Sequence, residues 1–95
     1  MIRDDVNRQK RLELASRLRD VRKDMYGENG AQILADALDV RVETWLNYEA
    51  GITVPAYVVL KLIDIARVNP LWLLTGHGDP HDYRMSHRES GRLPF

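Results

Sequence analysis

Leu14, Leu18, Val21 and Met25 recur at steps of four, three and four residues, with arginines and lysines filling the positions between them. That spacing is one apolar stripe of an amphipathic helix, and it predicts a first helix over about 5–25 that frays before Arg11. Gly27-Glu28-Asn29-Gly30 breaks it, because Asn-Gly is a strong turn signal. Asn29 then stands where its side chain would cap a second helix, 31–38, with Leu34, Ala35 and Leu38 facing inward. Asp39-Val40-Arg41 is a short connection to a third helix, about 42–49. On it Trp45 and Tyr48 sit three apart and face inward with Val40. Gly51 stops this helix, since glycine accepts the left-handed conformation that other residues resist. Pro55 fits the first turn of a fourth helix running to Ala66, and Asn69-Pro70 opens a short fifth one carrying Leu71, Trp72, Leu73 and Leu74 before Gly76. No stretch alternates with a period of two and no repeat is visible. After Gly78 polarity rises and periodicity vanishes, and Pro80 and Pro94 bracket a segment that reads as disordered. The predicted fold class is all-α: five short helices in one domain, 1–78, with a flexible tail, 79–95.

Composition narrows the class further. Ninety-five residues make one small domain with an economical core. No apolar run is long enough to span a bilayer, and Met-Ile-Arg-Asp-Asp has neither the apolar stretch of a secretion signal nor the acid-poor character of a transit peptide. The absence of cysteine removes disulfides and thiolate metal sites. The expectation is a cytoplasmic protein that does not enter a membrane. Fourteen Arg and Lys balance fourteen Asp and Glu, but unevenly: 1–24 hold eight bases against five acids, 25–78 three against six, and 79–95 three of each. A field that attracts phosphate must come from the first helix and a few well-placed cations.

The motifs are fragments in a fixed order: Arg17-Leu18-Arg19-Asp20-Val21-Arg22, Leu34-Ala35, Leu38-Asp39-Val40, Trp45-Leu46-Asn47-Tyr48-Glu49-Ala50-Gly51, Pro55, and Val68-Asn69-Pro70-Leu71-Trp72-Leu73-Leu74-Thr75-Gly76. At this spacing residues 17–76 resemble the lambda-repressor-like (Cro/CI, XRE-type) helix-turn-helix family. The resemblance implies a sequence-specific DNA-binding transcriptional regulator without a cofactor, acting as a homodimer on a near-palindromic site of double-stranded DNA. Its third helix would enter the major groove. Val42, Glu43, Leu46 and Asn47 then stand at the base-reading positions: Asn47 suits adenine, Glu43 the amino group of cytosine, Val42 a thymine methyl. Arg17, Arg19, Gln32 and Arg41 are the candidates for phosphate contacts. Arg22 and Glu49 match positions that in this family form a buried ion pair between the first and third helices.

Several positions depart from the family pattern. Ala31 stands where a polar residue usually contacts the DNA backbone, unless Gln32 takes that role by a shift of one. Asp39 replaces the usual turn glycine, Arg41 the usual Ser or Thr, and Glu43 adds a negative charge where DNA is negative. The loop after the first helix is also longer than usual.

A second reading keeps the fold and changes the partner. On the fourth helix only Tyr57, Lys61 and Asp64 form a polar arc. Its broad apolar remainder makes it either the central core element or, in part, a protein-docking face, as in an antitoxin-like interaction module with weak or no DNA binding. An acidic recognition face would favour that partner, and a basic one DNA. His77, His81 and His87 with Asp79 and Asp82 lie where no helix sets ligand spacing, so no metal is expected. Arg84, Arg88 and Arg92 are interspersed with acids and read as part of a passive tail rather than a groove-tracking arm. No activated nucleophile, glycine-rich phosphate loop or carboxylate pair at a plausible cleft is recognisable, so no catalysis is expected.

Overall fold

The protein is described here from a computed structural model, which covers residues 2–81, with side chains from Val6 onward. It is all-α: α1 (Ile2–Tyr26), α2 (Ala31–Leu38), α3 (Val42–Glu49), α4 (Ala56–Ala66) and α5 (Pro70–Thr75), with no strand among the described residues. Asp82, Arg84, His87, Arg88 and Arg92 lie beyond the described residues.

The stripe on α1 faces the core as its period requires, with Leu18 and Val21 buried and Leu14 and Met25 packed against them. The helix begins earlier than the stripe does. Residues 6–13 are all exposed, so packing does not hold that stretch; good helix formers and an i,i+4 bond from Gln9 Nε2 to Glu13 Oε2 (3.1 Å) accompany it. Around α1 the short helices close a core whose most enclosed members are Trp45, Leu18, Leu34, Leu62, Leu73 and Val58. α3 packs on both α1 and α2, α5 on α1, and α4 on α2. Trp45 and Tyr48 meet edge to face, centroids 6.2 Å apart at 87°, which anchors α3 by one flank. Burial pushes the Tyr48 phenol above its ordinary pKa, with the Tyr57 phenol adding to the effect.

α2 is not capped by Asn29. Gly30 occupies the cap position and no side chain bonds there. The reason is space rather than torsion: a Cβ on Gly30 would stand 2.2 Å from the Cβ of Tyr26, so the close return of the chain against α1 admits only glycine. The other end of α2 closes on Asp39 in the left-handed region (φ 60°), with Asp39 N–H donating to Asp36 O and Val40 N–H to Ala35 O. This double closure is the ending glycine usually supplies, and Asp is one of the few other residues that tolerate it. The left-handed closure is therefore made with a carboxylate in it. α4 starts one residue later than expected, with Pro55 as the residue before its first turn. It buries Val58, Val59 and Leu62 and leaves Leu60 exposed beside Tyr57. Asn69 caps α5 by accepting from Leu71 N–H, while its own amide nitrogens donate to Pro80 O and Asp79 O (2.9 and 3.0 Å). The first residues after Gly78 are thus tied back to the bundle rather than leaving it.

α3 ends with Ile52 N–H donating to Asn47 O across Gly51, whose φ is +105°. A Cβ at Gly51 would also meet Leu12 Cδ2 at 3.0 Å, a contact that side chain can relieve by turning. Backbone strain therefore dominates any substitution. Gly51→Val should lower unfolding stability by about 1 kcal/mol or more, and Gly51→Ala by less. Urea titrations of the three proteins check this; equal midpoints would show that the left-handed ending of α3 costs nothing.

Candidate nucleic-acid interface

α3 has eight residues, too few to persist alone in water, so the fold must hold it. Its inner side is fixed by Arg22 of α1. The guanidinium grips Glu49 from two directions, Nε to Oε2 at 3.0 Å and Nη2 to Oε1 at 2.8 Å, and both residues are buried. Glu49 also accepts from the Trp45 indole N–H, and the remaining Arg22 nitrogen donates to the carbonyls of Gly27 and Glu28 in the α1–α2 loop (3.3 and 2.6 Å). The Glu49 hydrogen bonds raise the Arg22 pKa above its ordinary value, outweighing the burial that lowers it. No buried side-chain nitrogen or oxygen lacks a partner among the described residues. The pair thus joins α1, the loop and α3.

Held this way, α3 turns Glu43, Leu46 and Asn47 outward, Leu46 being about half exposed at 47%. Asn47 makes no side-chain hydrogen bond among the described residues, leaving its amide open for a bidentate contact. Val42 differs from expectation. It is half-buried and packs against the core, because it lies three residues before Trp45 and seven before Glu49, on the inward stripe of the helix. Arg41, just ahead of α3, is exposed and lies 3.7 Å from the Glu43 carboxylate. Such a solvent-exposed pair is weak and readily exchanged. Gln32 is exposed on the first turn of α2 and donates to Asp36 Oδ1 at 2.9 Å.

Arg17 and Arg19 do not lie free for phosphate. Arg17 Nε donates to Leu73 O at the end of α5 (2.7 Å), and Arg19 Nη1 to Glu49 O at the end of α3. Arg11, which the sequence did not single out, donates through Nε to Gly51 O at 3.1 Å. All three serve helix C-termini, where orphan carbonyls and the negative dipole end attract cations. The structure places Glu43, Leu46 and Asn47 on the exposed side of α3 with Arg41 just ahead of it, and holds Arg19 at the C-terminal end of α3 and Arg17 at that of α5. Within 31–49 the exposed charged residues are Asp36, Asp39 and Glu43 against Arg41.

Among the described residues no helix is long and apolar enough to cross a membrane, and no three His, Asp or Glu side chains gather as metal ligands. No family model matches the chain, and no curated protein or solved structure matches it.

Removing either half of the central pair strands a buried charge. Arg22→Ala and Glu49→Ala should each cost about 3–5 kcal/mol, and the double substitution less than their sum. A double-mutant cycle by chemical denaturation measures the coupling; strict additivity would show that the two side chains do not support each other.

Proposed function

We infer that the protein is a sequence-specific DNA-binding regulator of the lambda-repressor-like helix-turn-helix type, reading the major groove with α3. The observation that carries this is the outward row of α3. Two eight-residue helices joined through a left-handed turn present Glu43, Leu46 and an unengaged Asn47 side by side, with Arg41 at the helix start. A helix of this exposure fits a major groove, and its amide and carboxylate match base edges rather than phosphates. Supporting it is the Arg22–Glu49 pair at the positions the resemblance implies. On this reading the protein works in the cytoplasm as a homodimer, each subunit contributing a weak half-site contact.

One observation favours a protein partner instead. The exposed charges of the α2–α3 unit are mainly acidic, and Tyr57 and Leu60 of α4 are exposed at 69% and 67%. An interaction module would use these two side chains as its apolar anchor.

The two readings separate on DNA itself. Asn47→Ala should cost roughly 1–3 kcal/mol on the preferred site and leave random-sequence binding nearly unchanged. Arg41→Ala should weaken both and flatten the salt dependence by about one unit of slope. Fluorescence anisotropy on selected and scrambled duplexes across a salt series checks both. A protein that binds no sequence more tightly than scrambled DNA at low salt is not a DNA-reading regulator.

Asp39→Gly provides a further check. It relieves a left-handed non-glycine residue and removes a carboxylate from the turn, so it should raise both the melting temperature and the affinity for duplex DNA. Higher stability with unchanged DNA affinity would place the turn away from the phosphates.

A further inference from the structure

A groove of about 220 Å³ lies between α1, α5 and the segment after Gly78. Its apolar part includes Met25, Val68 and the half-buried indole of Trp72, Asp20 and Asp24 line it from α1, and His81 lines it from the segment after Gly78. The wall carrying His81 is fixed to the fold, because Asn69 N–H and Nδ2 donate to Pro80 O and Asp79 O. Asp20 and Asp24 are one helical turn apart and exposed, and neither has a hydrogen-bond or ion-pair partner among the described residues. The cations nearest in sequence are engaged elsewhere. Lys23 pairs with Glu28 at 3.4 Å, Arg19 and Arg22 serve α3, and Arg67 has an interaction of its own.

We propose that this groove binds a small organic cation, an alkylammonium or guanidinium on a short aliphatic chain. The carboxylates attract the charge, and the indole face accepts the cation or its methylenes. The volume is below the roughly 300–1,000 Å³ of sites for drug-sized ligands, which restricts the occupant to a small molecule. An anion is disfavoured by both aspartates, and a purely apolar ligand would gain nothing from them. The site is independent of what α3 reads, since Asp20 and Asp24 sit on nearly the opposite flank of α1 from Arg19 and Arg22.

The test is an NMR titration of the full chain, without DNA, following the two tryptophan indole N–H signals, with Trp72→Phe assigning them. Agmatine and putrescine are the probes, and 1,4-butanediol is the uncharged counterpart of putrescine. Saturable shifts of the Trp72 signal are expected with both amines and none with the diol. Asp20→Asn/Asp24→Asn should weaken agmatine binding at least tenfold while its thermal melt stays that of the parent, because both residues are exposed. The proposal is overturned by no saturation below about 10 mM, by equal shifts from butanediol, or by undiminished binding of the double variant. Contacts between Trp72 and residues 82–95 in the ligand-free chain that agmatine does not displace also overturn it, in favour of a groove filled by the chain itself.

Discussion

The Arg22–Glu49 pair is the constraint on which the placement of α3 depends. An isolated helix of α3's length has no stable conformation, and its apolar contribution to the core is mainly Trp45 and Tyr48. Two aromatic side chains fix which flank faces inward but leave the helix free to slide along its axis or roll. The ion pair removes that freedom. A planar guanidinium meeting a carboxylate through two of its three nitrogens favours one orientation, and the Trp45 indole bond to the same carboxylate holds the roll. The loop carbonyls of Gly27 and Glu28 accept from the third Arg22 nitrogen, so the path of the α1–α2 connection is tied to the same side chain. A buried pair of this kind adds little net stability; its effect here is on geometry.

The same economy explains where the positive charge of α1 goes. Arg11 and Arg19 meet carbonyls at the end of α3, and Arg17 one at the end of α5. Short helices have proportionally more unsatisfied ends than long ones, so a bundle of eight- and six-residue helices needs donors at its C-termini. α1 supplies them. The excess of bases in 1–24 is therefore partly anchored to helix ends, with Arg11 and Arg19 held at the C-terminal end of α3 rather than along its outward row.

The sequence made the helices legible and the helix ends less so. The bounds of α2 and α3 follow from periodicity and from Gly51, because those signals are local. The capping role expected of Asn29 fails because the approach of Tyr26 dictates Gly30, a tertiary contact that no local pattern carries. Arg17 and Arg19 read as phosphate contacts because the carbonyls they serve lie 56 and 30 residues away in the chain. Val42 was open to correction from the sequence alone, since steps of three and seven place it on the stripe of Trp45 and Glu49. The apolar remainder of α4 left its role open, and the fold splits the difference: three residues enter the core and Leu60 does not. Asp20 and Asp24 are not legible as a pair from the sequence, because only the fold brings Trp72 and His81 into the same groove.

On the DNA reading, the exposed acids shape how recognition works. Arg41 and Glu43 lie 3.7 Å apart, so a phosphate that takes Arg41 competes with Glu43 for it. Random duplex then gains a phosphate contact while exposing an unpaired carboxylate to a negative surface, and the net attraction is small. A site that offers Glu43 a cytosine amino group, and Asn47 an adenine, compensates both changes at once. Asp39 in the turn and Asp36 beside Gln32 add to the same repulsion on every sequence alike. Acidic groups near a recognition helix thereby lower the non-specific background more than the specific contact. Low affinity per subunit and high selectivity become two consequences of one charge arrangement, and pairing two subunits on adjacent half-sites restores binding strength without restoring the background.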